Sequence, residues 1–210
     1  MSQASSKLDS SLSKVIAERE VASTRWLSLV ELTYEDPNGK TRTWNAVRRP
    51  TTSRASEADA VCVFAVLRGK HVKEPETLLV RQFRPATLGE TIELPAGLID
   101  DGESAETSAL RELREECGYV GVVRAKTPPV VLSPGLSDES VVMVVVDVDL
   151  DDDANASPSQ ALEQSEFISV IRVPIHGLLR ALDEYSRDGK RVFAGLYFLA
   201  WSFGSSSSAS

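Results

Sequence analysis

Residues 97–118 read GLIDDGESAETSALRELREECG, and this stretch decides how the rest of the chain is read. Its second half predicts a helix over Ser104 to Cys117, with Ser104 as N-cap and Gly118 as the stop. At about 100° per residue, Leu110, Leu113 and Cys117 fall on one apolar stripe for a core. Glu112 and Glu116 lie about 40° apart and one turn apart, with Glu115 about 60° to the other side. Three carboxylates therefore share one face beside the core stripe.

That face breaks two local rules. Glu112 and Glu116 are like charges at i,i+4, at a cost of about 0.2–0.5 kcal/mol. Glu115 and Glu116 also occupy the last turn, where the helix dipole favours cations. Arg111 offsets part of this by pairing with Glu115. Hard carboxylate oxygens converging from one turn suit Mg²⁺ or Mn²⁺, which in turn grip phosphate oxygens. The competing reading is an exposed acidic helix face.

Outward from the helix, 210 residues with 42% hydrophobic and 26% charged side chains predict an ordinary globular chain, one domain with an appendage or two small ones. The longest aliphatic run, Val141 to Val146, is far short of a membrane span. The N-terminus lacks the apolar stretch of a secretion signal, and Cys62 and Cys117 stand alone. These features point to a reducing, cytoplasmic compartment. The net charge of −8 lies wholly in residues 97–171, where 4 bases meet 16 acids, against +2 on each flank. An acidic chain is a poor ligand for nucleic-acid backbone, so a nucleic-acid polymer is excluded as a partner.

Residues 1–22 are polar and serine-rich and read as a flexible N-terminal arm. Trp26 to Tyr34 and Thr41 to Val47 alternate about the turn Asp36-Pro37-Asn38-Gly39, predicting a hairpin within an N-terminal β domain over 23–57. Strand-like runs follow at 61–67, 77–83, 91–94, 130–132, 141–148 and 167–173, predicting a mainly antiparallel or mixed sheet in a domain over 58–203. Ile175 to Tyr185 has helical spacing, Asp188-Gly189 breaks it, and Val192 to Phe203 resumes it. Residues 204–210 read as a disordered tail, and the polar stretch 151–165 as a mobile loop.

The quoted stretch also satisfies G-x5-E-x7-R-E-U-x-E-E-x-G, with U aliphatic, at Gly97, Glu103, Arg111, Glu112, Leu113, Glu115, Glu116 and Gly118. Eight positions over 22 residues are specific. The chain resembles the Nudix hydrolases, which cleave nucleoside diphosphates linked to another moiety. With DPNGKTRTW before the box, RQFRPATLGETIELPAGLIDDGE leading into it and SPGLSDE after it, the resemblance extends to the ADP-ribose pyrophosphatase branch, especially its eukaryotic members. Tyr119 departs from the aliphatic residue the pattern prefers.

The resemblance implies an α+β protein, a three-layer α/β/α Nudix fold with a small N-terminal antiparallel β domain exchanged across a homodimer. It implies Mg²⁺, or Mn²⁺, on Glu112, Glu116 and the Ala96 carbonyl, with Glu115 near the metals and holding Arg111. Arg84 and Arg49 would contact the diphosphate and ribose, with Arg48 or Arg81 as substitutes under a shifted register, and Leu98 would line the substrate. Trp26 and Trp44 would stack on adenine, one from each subunit, or else seal the dimer interface. Glu166, with Glu163 as runner-up, would activate the attacking water or ligate a further metal.

Ser133 and Asn45 stand where related enzymes can carry acids, which leaves substrate preference open. The implied activity is metal-dependent hydrolysis of ADP-ribose to AMP and ribose 5-phosphate. The alternatives are hydrolysis of other nucleoside diphosphate derivatives, such as oxidised guanine nucleotides, and a non-catalytic ADP-ribose-binding module. The aspartates at 147, 149 and 151–153 lack the glycine and closing glutamate of an EF-hand.

Overall fold

A computed structural model describes residues 9–50 and 56–204. The first eight residues of the expected arm and residues 205–210 of the expected tail lie outside them. The chain divides into two compact units, residues 1–53 with 131–140, and residues 54–130 with 141–210.

The first unit is built on three antiparallel strands, β1 (Lys14–Ser23), β2 (Ser28–Glu35) and β3 (Thr41–Arg48). The expected hairpin is β2–β3. Its turn is organised by Asp36, whose carboxylate accepts the Asn38 and Lys40 N–H groups and pairs with Arg42, while Gly39 takes the positive φ that the turn requires. The arm over 1–22 is corrected in part, because Lys14 onward pairs along β2. Bulges between Val15 and Ala17 and between Glu20 and Ala22 shift the inward–outward alternation, which is why no period of two is visible there. Cross-strand pairs Lys14–Glu35 and Arg19–Glu31 accompany the ladder. Residues 131–140 dock on the same unit. Val47 N–H donates to the Leu136 carbonyl, and Trp44 Nε1 donates to the Gly135 carbonyl.

Among the described residues the second unit carries a nine-stranded mixed sheet and three α-helices. In chain order these are β4 (Ala60–Arg68), β5 (Glu76–Arg84), β6 (Gly89–Glu93), β7 (Ala96–Leu98), α1 (Ala105–Cys117), β8 (Val122–Lys126), β9 (Val130–Val131), β10 (Ser140–Asp149), β11 (Ser169–Pro174), α2 (Leu178–Arg187), β12 (Arg191–Val192) and α3 (Ala194–Gly204). The main path runs β12-β6-β5-β4-β10-β8, with β4 and β10 parallel along nine residue pairs at its centre. Strand alternation then sorts the core. Val61, Val63, Ala65 and Leu67 of β4, with Val142, Val144, Val146 and Val148 of β10, face Ala105, Ala109, Leu113 and Cys117 of α1. Cys62, Phe64 and Val66 face Leu178 and Leu182 of α2 and Leu196 and Ala200 of α3. These are the expected three α/β/α layers. β7, β8 and β12 were not expected from the sequence. β7 and β12 are too short for a period to register, and β8 presents mostly exposed residues. Val192, expected to resume a helix, instead pairs with Ile92. Both cysteines are buried and neither is in a disulfide, and no helix among the described residues is long and apolar enough to cross a membrane.

Helix α1 begins and ends as its sequence dictates. The Ser104 side chain accepts the Thr107 N–H, and Gly118 turns left-handed at φ 78°. A Cβ on Gly118 would run into the backbone of Pro158 and Ser159, whereas one on Gly102, also at positive φ, would meet nothing. Gly118→Ala therefore combines conformational strain with a collision, and Gly102→Ala carries strain alone. In urea denaturation, Gly102→Ala is expected to cost about 1 kcal/mol and Gly118→Ala at least about twice that.

Candidate active site

Helix α1 is placed so that its core stripe sinks onto β4 and its acidic face meets the turn from β6 through β7. Glu112 and Glu116 are buried, at 8% and 4% exposure, while Glu115 is half-exposed. The structure thereby decides against an exposed acidic face for two of the three carboxylates.

Arg111 organises the cluster. Its Nε donates to Glu103 Oε1 at 3.1 Å and its Nη2 to Glu103 Oε2 at 2.9 Å. Nη1 donates to Glu112 Oε1 at 2.7 Å and to Glu115 Oε2 at 3.1 Å. Nη2 also reaches the Leu98 carbonyl at 3.0 Å and Ser108 Oγ at 3.1 Å. A planar fork with five N–H groups is the side chain able to serve so many acceptors. Pairing with Arg111 holds the Glu103 carboxyl below its usual range.

Burial acts the other way on the remaining pair. Desolvation pushes Glu112 up despite Arg111. It pushes Glu116 up to about 8; the Ala96 N–H donating at 3.0 Å opposes this, and the charges of Glu112 and Glu166 add to it. Two buried carboxylates that still resist ionising beside Arg111 and Arg84 are only partly compensated by the protein's own cations, and a bound cation would supply the missing charge. Gly97 adds a second sign of fit, since a Cβ there would land on the Glu112 carboxylate. The close approach of strand to helix needs that glycine. Among the described residues, no three His, Cys, Asp or Glu side chains are gathered as a ready metal cage. Arg111 draws Glu112 Oε1 and Glu115 toward itself, so the donor set is two buried carboxylates beside the β7 backbone. Ala96 and Leu98 bracket Gly97 on that strand. Ala96 meets Glu116 through its N–H, and Leu98 is exposed with its carbonyl on Arg111 and Ser108.

Arg84, at the end of β5, shares the electrostatic field of Glu116 and Glu166. Its Nε and Nη2 each lie 2.9 Å from the two oxygens of Glu93 on β6. Glu166 sits on the connection between β10 and β11, where its Oε2 accepts the Glu163 N–H at 2.9 Å. The charge of Glu166 acts on both Glu112 and Glu116. The stretch expected to be mobile is pinned at several points. Asn155 is buried and exchanges hydrogen bonds with Val120, Gln160 Nε2 donates to the Glu116 and Ile168 carbonyls, and the Ala161 N–H donates to the Glu115 carbonyl. These bonds satisfy carbonyls that the end of α1 would otherwise leave open.

In the first unit, Trp26 and Trp44 are half-exposed, at 53% and 50%. The Arg25 guanidinium lies over the Trp26 ring, 4.4 Å from its centre. Arg49 pairs with Glu139 at 2.7 Å, and Arg48 bridges Glu18 and Asp138. Arg81, the other substitute, pairs with Glu90 at 3.7 Å. Sequence reasoning missed Glu93, Thr91 and Gln160. Glu93 alone left a trace, being an acid set between Ile92 and Leu94 and two residues from Thr91.

Against known proteins, the model of the NUDIX domain matches residues 57–194. The chain belongs to the Nudix family. Nudix hydrolases generally use divalent metal ions. An ADP-ribose pyrophosphatase of Saccharomyces cerevisiae is 41% identical over 184 residues, 86% of this chain and 79% of the relative. An ADP-sugar pyrophosphatase of Mus musculus is 42% identical over 169 residues, 80% of this chain and 77% of the relative. A crystal structure of an ADP compounds hydrolase superposes with a TM-score of 0.64 at 19% identity, covering 93% of this chain and 96% of that one, a likeness of fold.

The Arg111 cluster is testable through stability. Arg111→Met strands Glu103 and Glu112 without their cation and is expected to cost about 3 kcal/mol at pH 7. Because the folded pKa of Glu103 is depressed below the ordinary 4.5, the Glu103–Arg111 contribution is complete above that value. It disappears as pH falls through the depressed one. Urea denaturation at pH 7 and in acid should show the deficit of the variant shrinking as pH falls.

Proposed function

We propose that this Nudix protein hydrolyses the diphosphate bond of ADP-ribose and related ADP-sugars to AMP and the sugar phosphate, with Mg²⁺ as its metal and Mn²⁺ able to replace it. The observation that carries the reading is the buried, hard-to-ionise Glu112–Glu116 pair on the box helix. The names of the yeast and mouse relatives supply the substrate class.

In this reading Glu112, Glu116 and the Ala96 carbonyl hold the metal. When bound, it supplies positive charge to the diphosphate oxygens and makes water a better nucleophile. Glu166 takes the proton of the water that attacks phosphorus, as the bridging P–O bond breaks. Glu115 and Arg111 position Glu112. Arg84 presents N–H groups to the diphosphate, with Arg49 and Leu98 at the ribose. Trp26 and Trp44 hold adenine by stacking. A homodimer that exchanges the N-terminal sheets would cover the exposed Val15, Val21, Leu27 and Leu29 of the first unit. The first unit, β1 to β3 with residues 131–140, is then the β domain and the second unit the catalytic domain, with the cytoplasm as the compartment.

AMP release with Mg²⁺ across a panel of ADP-ribose, other ADP-sugars and oxidised guanine nucleotides tests the reading. ADP-ribose or another ADP-sugar should have the highest kcat/KM. Glu112→Gln and Glu116→Gln should each lower kcat by at least about 100-fold while leaving the fold intact; near-normal turnover at saturating Mg²⁺ refutes the metal assignment. Trp44→Ala should raise KM for ADP-ribose by about 5- to 100-fold, the equivalent of about 1–3 kcal/mol of stacking. Unchanged KM removes Trp44 from the base pocket.

A further inference from the structure

Arg84 poses an electrostatic problem that the proposed chemistry cannot tolerate unsolved. A guanidinium in the field of Glu116 and Glu166 has every reason to pair with them. Such a pair would occupy the oxygens needed for a cation and the donors needed for a phosphate. Among the described residues Arg84 makes no such pair; its ion pair is with Glu93. The pair is two-pointed, Nε to Oε1 and Nη2 to Oε2, both at 2.9 Å. Nη1 donates to no acceptor among the described residues.

Glu93 is itself held. Its side chain is only 19% exposed. The Thr91 hydroxyl, against the Gln82 carbonyl, bonds to Glu93 Oε1. In the β5–β6 ladder Gln82 opposes Thr91 and Val80 opposes Glu93, so Arg84, Thr91 and Glu93 share one face of the hairpin, and the guanidinium reaches back along it. Three residues beyond Glu93, the Ala96 N–H anchors Glu116. The same short segment thus holds the cationic and the anionic sides of the site.

We propose that Glu93 is a positioning residue that acts through Arg84, holding the guanidinium off Glu116 and Glu166 with Nη1 open to a diphosphate oxygen. The proposal rests on the functional reading above, in which Arg84 meets the diphosphate. Glu93→Gln replaces one acceptor with an N–H₂ group facing an Arg84 N–H, and so breaks the two-point clamp. Arg84 is then released toward Glu116 and Glu166.

The test is a double-mutant cycle over Glu93→Gln and Arg84→Ala, read by kcat/KM for ADP-ribose and by Mn²⁺ affinity of the substrate-free protein. Glu93→Gln alone should lower kcat/KM at least tenfold, with the same division between kcat and KM as Arg84→Ala, and weaken Mn²⁺ binding at least threefold. In the Arg84→Ala background, Glu93→Gln should change either quantity less than twofold. Equal effects in both backgrounds, or no coupling in either assay, overturn the proposal, because a merely structural role does not need Arg84. Glu93→Asp, which keeps the charge but is too short to serve both nitrogens, replaces the Gln variant in the cycle if that variant does not fold. A wild-type protein that releases no AMP overturns the functional reading and this proposal together; an active wild type without coupling overturns this proposal alone.

Discussion

Helix α1 buries two like-charged carboxylates one turn apart, and the second unit is arranged around that constraint. Water would solvate Glu112 and Glu116 well, and the interior does so poorly. The protein answers with one cation and one backbone donor. Arg111 serves Glu112, Glu103 and Glu115 from a single guanidinium, and the Ala96 N–H serves Glu116. Neither suffices to return the pair to ordinary carboxylate behaviour. The unmet charge is the physical form of the site's demand for a cation.

The surrounding elements are explained by access to that pair. Gly97 lets β7 approach the Glu112 carboxylate, and Gly118 lets the chain at Pro158 and Ser159 cross the end of the helix. Gln160 and Ala161 then bond the last carbonyls of α1 and carry the chain toward Glu166. On the other side, Glu93 takes up Arg84. Acids and bases are matched so that, among the described residues, the Glu116 carboxylate accepts a backbone N–H and no side-chain cation. The negative balance of residues 97–171 therefore has a local meaning at α1. Further along, Asp147 pairs with Arg68 and Arg124, an ordinary ion pair at the strand end.

Much of this was legible in the sequence because it is local. Helical spacing placed Glu112, Glu115 and Glu116 on one face, Ser104 and Gly118 bounded the helix, and the apolar runs 61–67 and 141–148 marked strands. Where local signals are short or interrupted, the reading failed. The bulges of β1 concealed a strand, β7 and β12 contain too few residues for a period, and Asp151 to Ser165 has a loop's composition but is held by Asn155 and Gln160.

The sequence by itself determined the box helix and its acidic face, since both follow from spacings within about a dozen residues. Tertiary structure alone decided which carboxylates are buried and which cation each acid meets. Gln160 and Glu116 are forty-four residues apart, and Arg49 and Glu139 ninety. Contacts of that range are set by strand register and by where loops cross the helix, and burial, which controls the ionisation of Glu112 and Glu116, exists only after those layers have packed.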